Sequence, residues 1–294
     1  MAAAFDLYTA HFGLRERPFS LVPDPGFLFW SDTHARAFSM LEYGILTRAP
    51  ITLITGEVGA GKTTLIHQLL SSPRADVTIA LIANAHGDRA ELLRWVLQSL
   101  GQPAATDAHY VDLYGQFQEY LIAEYAAGRR VVLIFDEAQN LTRDVLEELR
   151  MFTNINSGKD ELLQLIIVGQ PELRDIVLRP DLRQFAQRVA ASFHLPEMDP
   201  SGVKAYISHR LQIAGAEAAI FEDAAIDAIY EATRGTPRLI NQLCDLALVY
   251  AFTMDSKTVP ASVVAQILQD GVFFGGGQEQ VTASFVRARN RGVS

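Results

Sequence analysis

The chain has 294 residues, 49% hydrophobic and 20% charged, with a formal net charge of −9 at pH 7. That composition describes a soluble globular protein with a core, in one large or two unequal domains, and it argues against a large basic nucleic-acid surface, though not a local one. Cys244 is the only cysteine, so no internal disulfide can form, and its apolar helical surroundings read it as a small buried hydrophobe. Met1-Ala2-Ala3-Ala4-Phe5-Asp6 lacks a basic leader, and no apolar run approaches a membrane span, so a cytoplasmic location is expected.

Residues 5–30 mix prolines with aromatics, among them Phe12, Pro18, Phe19, Pro23, Pro25, Phe27, Phe29 and Trp30, without a clear period. An extended strap is expected, either packed across its own domain or placing Pro18 and Phe19 beside a nucleotide base. From Thr33 to Leu46 the apolar positions return every three or four residues, which predicts a helix. The apolar run Ile51-Thr52-Leu53-Ile54-Thr55 then leads into Gly56-Glu57-Val58-Gly59-Ala60-Gly61-Lys62-Thr63, which fits the pattern G-x-x-x-x-G-K-[ST] at every fixed position.

Helical spacing resumes at Thr64, so the motif sits between a strand and a helix, as its chemistry requires. The glycines let backbone N–H groups turn towards phosphate oxygens, and the helix presents its positive end to them. Gly56, Glu57, Val58, Gly59, Ala60, Gly61, Lys62, Thr63 and Thr64 are the expected phosphate-binding set, with Lys62 on the β- and γ-phosphates and Thr63 on Mg²⁺.

Val77–Ile82 reads as a second strand. Asp88 with Glu91 resembles a capping box ahead of the stripe Leu92, Leu93, Val96, Leu97 and Leu100, which Gly101 closes. A helix from about His109 to Ala127 carries Leu113, Phe117, Leu121 and Tyr125 on one face. The alternation of strands and helices predicts a parallel sheet covered on both faces. Val131-Val132-Leu133-Ile134-Phe135 then runs straight into Asp136 and Glu137. At the C-terminal edge of a buried parallel strand, Asp136 can hold Mg²⁺ through water and Glu137 can polarise the water that attacks the γ-phosphate.

Thr142 or Asp144 caps a helix through Phe152. The buried strand Leu162–Val168 delivers Gln170 beside the carboxylates, where its amide can bridge the attacking water and the phosphate. Arg174, Arg179, Arg183 and Arg188 precede a fifth strand, Val189–Leu195. Around Pro196–Pro200 the pattern becomes purely helical, with helices near 201–214, 223–233, 236–253 and 260–269, and Gly235-Thr236-Pro237-Arg238 at a helix start. The expected division is a strap and lead-in helix (1–50), an α/β core (51–198), a small helical lid (199–270) and a flexible tail (271–294) with Arg287, Arg289 and Arg291. No Asn-Lys-x-Asp follows a later strand, which favours ATP over GTP; Ser157-Gly158-Lys159-Asp160 lacks both the order and the strand.

Together these features resemble an AAA+ ATPase, and more narrowly the family of general secretion pathway protein A, MSHA pilus biogenesis and exosortase-associated ATPases. The matching words are Phe12-Gly13-Leu14 with Pro18-Phe19, Pro23-Asp24-Pro25, Ile54–Thr63, Phe135-Asp136-Glu137-Ala138-Gln139, Gly169-Gln170-Pro171-Glu172-Leu173 and Pro237-Arg238-Leu239-Ile240-Asn241.

The resemblance implies a P-loop AAA+ fold, with a parallel five-stranded sheet flanked by helices and followed by a helical lid. It implies ATP hydrolysis with Mg²⁺ at sites shared between subunits of a homo-oligomeric ring or filament. By position, Arg188 is the arginine supplied in trans, with Arg183 as the substitute, and Arg238 is the lid sensor. The implied role is an assembly ATPase for a secretion, pilus or polysaccharide export machine, cytoplasmic or peripheral at the inner membrane. The alternative is a DNA-associated regulator of the transposition type, which the acidic balance does not favour. The longer secretion members carry a membrane span and a peptidoglycan-binding module that are not seen after residue 270, which puts a direct cell-wall role in doubt.

Overall fold

The computed structural model describes residues 7–21, 25–72, 74–83, 88–105, 107–157 and 160–275. Pro23 and Asp24 of the strap, Gly158-Lys159, and the tail with Arg287, Arg289 and Arg291 lie outside the described residues. A helical turn, α1 (Thr9–Phe12), precedes α2 (Asp32–Leu46), β1 (Ile51–Gly56), α3 (Lys62–Leu70), β2 (Val77–Ala83) and α4 (Arg89–Ser99). Next come α5 (Tyr110–Ala126), β3 (Arg130–Asp136), α6 (Arg143–Phe152), and the two-residue strands β4 (Asn156–Ser157) and β5 (Asp160–Glu161). β6 (Leu163–Gly169), α7 (Pro171–Val177), α8 (Arg183–Arg188) and β7 (Val189–Leu195) complete the alternating part. Four helices follow: α9 (Pro200–Ile213), α10 (Asp223–Thr233), α11 (Pro237–Thr253) and α12 (Ala261–Gln269).

Contacts divide the chain into two compact units. One comprises Asp32–Glu57 and Gly61–Pro196; the other comprises the described residues of Met1–Ser31, Val58–Ala60 and Glu197–Ser294.

In the α/β unit, five parallel strands lie in the order β2-β3-β6-β1-β7. Every residue of β1 and β6 is buried, as are residues 131–136 of β3. Burial on both faces is why these strands read as continuous apolar runs, whereas the edge strand β7 mixes buried with exposed positions. Polar residues interrupt these runs at Thr52 and Thr55 in β1 and at Gln164 in β6. Gln164, 2% exposed inside β6, is tolerated because its Nε2 donates to the carbonyls of Gly44 and Ala49 at 3.0 and 3.2 Å. α2 lies hard against β1, since a Cβ on Gly44 would come within 2.1 Å of Thr52 Oγ1.

The capping box of α4 forms as expected, with Asp88 Oδ1 accepting from the N–H groups of Ala90 and Glu91 and Glu91 Oε2 accepting from Asp88 N. Thr142, not Asp144, caps α6, its Oγ1 accepting from Val145 N at 3.3 Å. Tyr125 departs from the expected stripe of α5. It is 38% exposed, and its hydroxyl donates to Asp160 Oδ2 at 2.7 Å.

In the helical unit, α9–α12 enclose a core that includes Ile207, Ile229, Leu243, Cys244, Leu248 and Val264. The strap is built into this core through Tyr8, Leu14, Phe19 and Phe27. Its backbone is satisfied by the same helices: Arg210 Nε donates to Pro18 O at 2.5 Å, Arg15 N to Ala214 O at 2.7 Å, and His209 Nε2 bonds Leu28 O at 3.1 Å. Phe19 is 1% exposed with its ring edge-on to Phe221, so it fills a core and is not free to wall a base. No helix among the described residues is long and apolar enough to cross a membrane.

Candidate active site

The register of the sheet brings the chemistry to one edge. Thr55 pairs with Gly169 and Phe135 with Ile167, so the C-terminal ends of β1, β3 and β6 deliver Gly56, Asp136 and Gln170 side by side. Beyond Gly56 the loop needs left-handed backbone at Gly59 (φ +81°) and Gly61 (φ +100°), a region that side chains strain. Space is a second constraint, because a Cβ on Gly61 would lie 2.5 Å from His34 Nε2 and one on Gly56 2.7 Å from Leu195 O.

Lys62, the first residue of α3, is 6% exposed and folds back over its own loop, donating to Gly56 O at 2.6 Å and Glu57 O at 2.9 Å. Burial pulls its pKa below the usual lysine range, and the carboxylates of Glu137 and Asp136 act against that. The next residue, Thr63, donates its hydroxyl to Asp136 Oδ2 at 3.3 Å. Glu57, Val58 and Thr63 are exposed, Gly59 and Thr64 are half-buried, and Ala60 is buried.

Asp136 is 8% exposed and accepts the N–H of Glu137 at Oδ1, 2.9 Å. Burial nevertheless raises its pKa. Glu137 adopts left-handed backbone (φ +54°), which costs on the order of 1–3 kcal/mol in a residue with a side chain. The turn aims its carboxylate at two amides: Gln139 Nε2 donates to Oε2 at 2.5 Å and Gln170 Nε2 to the same oxygen at 3.2 Å. The Gln139 bond is the main cause that holds the Glu137 pKa below the usual carboxylate range. Sequence reasoning gave Gln139 no role. The available signal was an amide two residues beyond the carboxylate pair.

Arg188 is not brought to this cluster. Val189, the residue after it, pairs with Ile51 at the start of β1, so Arg188 lies at the opposite edge of the sheet from Gly56. There its Nη2 bonds Asn154 Oδ1. Arg183 is exposed at the start of α8. In the helical unit, Arg238 opens α11, and a Cβ on Gly59 would meet Arg238 Cβ at 2.6 Å. Gly235 (φ +81°) makes the turn before it, packed so closely that its own Cβ would come within 2.0 Å of Met198 O.

Residues 46–177 match the family described as AAA domain. Over 253 residues the sequence is 40% identical to general secretion pathway protein A of Aeromonas hydrophila, covering 86% of this chain and 46% of that protein. The chain belongs to the AAA+ ATPases of the general secretion pathway protein A family. It spans about half the length of that relative. Among solved structures, the Aeropyrum pernix ORC2 protein in its ADPNP-ADP complexes is similar with a TM-score of 0.64 and 18% identity, over 86% of this chain and 71% of that one. Cdc6p from Pyrobaculum aerophilum follows with a TM-score of 0.62 and 16% identity, over 81% and 68%. At such identities the likeness concerns the fold, which is the P-loop AAA+ fold expected from the sequence.

An AAA+ fold implies a bound nucleotide, and Mg²⁺ typically accompanies it. The donor set fits that ion, since a hydroxyl and a buried carboxylate already face each other at Thr63 and Asp136. No group of three or more His, Cys, Asp or Glu side chains that could hold a metal occurs among the described residues. Mg²⁺ needs none, being held by one or two carboxylates together with phosphates and water.

Proposed function

We propose that this AAA+ chain hydrolyses ATP with Mg²⁺ and serves as an oligomeric assembly ATPase for a secretion, pilus or polysaccharide export system, peripheral at the inner membrane. The observation that carries the chemistry is the single bonded cluster in which Thr63 meets Asp136 and Glu137 meets Gln170. The identity to general secretion pathway protein A supports the pathway, and that longer relative's role as a whole is part of the proposal.

In this reading the backbone of Gly56–Thr64 cradles the phosphates and Lys62 exchanges loop carbonyls for phosphate oxygens. Thr63 and Asp136 hold the metal, which when bound neutralises charge on the phosphoryl oxygens. Glu137 polarises the attacking water and Gln170 orients it. Arg238 serves as the lid sensor, and Arg188 of a neighbouring subunit as the finger.

The test uses Glu137→Gln, which should bind ATP normally and lose turnover. Captured from cells, that variant should bring down inner-membrane export components. Duplex DNA should change the ATPase rate little, with any binding at low salt lost steeply as salt rises. A several-fold stimulation by DNA that persists near physiological salt would instead support a regulator of the transposition type.

A further inference from the structure

The left-handed turn at Glu137 leads into a single turn of 3-10 helix, Ala138–Asn140, which swings the Gln139 side chain back over the residue two before it. Its amide is bonded at both ends. Nε2 donates to Glu137 Oε2 at 2.5 Å, and Oε1 accepts from the backbone N–H of Gln170 at 3.0 Å. Because a carboxylate only accepts and an N–H only donates, these partners fix which way round the amide stands. Gln170 is the N-cap position of α7, and its N–H goes to Gln139. Gly169 leaves the room, since a Cβ there would lie 2.8 Å from Gln139 Oε1 and 2.7 Å from Leu173 Cδ2.

Among the described residues, both amide donors to the Glu137 carboxylate converge on Oε2, which leaves Oε1 to accept from water. The second donor, the Gln170 side chain, is also the group proposed to reach the γ-phosphate. If it turns to the phosphate it must release Oε2, and Gln139 then remains as the donor that keeps the carboxylate in place.

We infer that Gln139 is a positioning residue for hydrolysis, tying the Glu137 carboxylate to the start of α7 so that one carboxylate oxygen stays aimed at the attacking water while Gln170 engages the nucleotide. The inference rests on the proposed role of Glu137 as the water-polarising group.

The test compares full-length Gln139→Met, similar in size but unable to bond at either end, with Gln139→Glu, which keeps the acceptor for Gln170 N and loses the donor. In Gln139→Met, kcat should fall about tenfold or more, as for loss of a hydrogen bond to a charged group, with the affinity for a fluorescent ATP analogue within about twofold of wild type. The loss should fall on kcat with KM within about twofold of wild type, a split that a general loosening of the fold would not produce. Gln139→Glu should fall at least as far, and it carries the same test should Gln139→Met not fold. Wild-type kcat in the folded variants, with Glu137→Gln inactive, would overturn the role of Gln139 alone. Normal turnover in Glu137→Gln would overturn the base assignment, and the role of Gln139 with it.

Discussion

Lys62 donates to the carbonyl of Gly56 at 2.6 Å, closing the phosphate loop on itself. The ammonium is buried and donates to two loop carbonyls, which nucleotide binding should exchange for phosphate oxygens. Truncation removes the only strong counter-charge in the loop. Lys62→Ala should therefore weaken ATP binding on the order of 100-fold, the upper range for a charge-assisted hydrogen bond. Glu137→Gln removes only the water-polarising charge and should bind within a few-fold of wild type, as equilibrium titration would show. Equal loss of affinity in both would mean that the two roles are misassigned.

A second prediction concerns Asp136, whose pKa is raised chiefly by burial, with the bonds from Glu137 N and Thr63 acting against it. A carboxyl whose folded pKa lies above its unfolded value is favoured by folding in its protonated form. Its cost is thus absent below the unfolded pKa and fully present above the folded one, which includes neutral pH. Asp136→Asn should raise the melting temperature of the metal-free protein at pH 7, by an amount that shrinks as the pH falls into the acid range. The same variant should lose the extra stabilisation that Mg²⁺ adds to nucleotide. Thermal melts with and without Mg²⁺ separate the two effects, and a lower Tm for the metal-free variant would contradict the argument.

The sheet was legible because doubly buried parallel strands cannot alternate: Val131–Phe135 is fully buried, and the five expected strands lie within a residue or two of those observed. The convergence of Asp136, Glu137 and Gln170 was legible for the same reason, as each follows directly on such a run. Gln164 was not, because its acceptors are backbone carbonyls of Gly44 and Ala49, more than a hundred residues away in the chain. Nor was the placement of the strap. Prolines and aromatics without a period announce burial but not the surface covered, and here the decisive partners are the buried guanidinium of Arg210 and the carboxylate of Asp245, which accepts from Arg17 at 2.5 Å. Gln139 escaped notice because its importance depends on the left-handed backbone at Glu137, which no spacing rule reports.

Phe19 yields a prediction that separates structure from ligand contact. A fully buried phenylalanine truncated to alanine typically costs about 3–5 kcal/mol. Phe19→Ala should lower the unfolding free energy by that order while leaving ATP affinity in the folded protein little changed. Urea denaturation and nucleotide titration on the same preparation decide it. Unchanged stability with a large loss of affinity would return Phe19 to the nucleotide base.

Arg188 carries the last prediction, that each active site is completed by a neighbouring subunit. Within its own α/β unit it stands at the sheet edge opposite Gly56 and is engaged by Asn154, so it cannot serve its own phosphate loop without rearrangement of that edge. Yet Lys62 is the one cation bonded within the phosphate loop, while the transition state spreads negative charge over the equatorial oxygens and an added arginine can contribute 10³–10⁵ in rate. Turnover per subunit should rise with protein concentration, and Arg188→Ala should lose at least about 10³ of the rate while binding ATP nearly as wild type. If Arg183 is the finger instead, the same loss appears in Arg183→Ala. Mixing Arg188→Ala with Lys62→Ala gives the sharper measurement, because some mixed interfaces join the intact loop of one subunit to the intact arginine of the other. Activity recovered on mixing two inactive proteins is the expected result. A rate per subunit that stays flat on dilution into the monomer range, with no recovery on mixing, would place the whole site within one subunit.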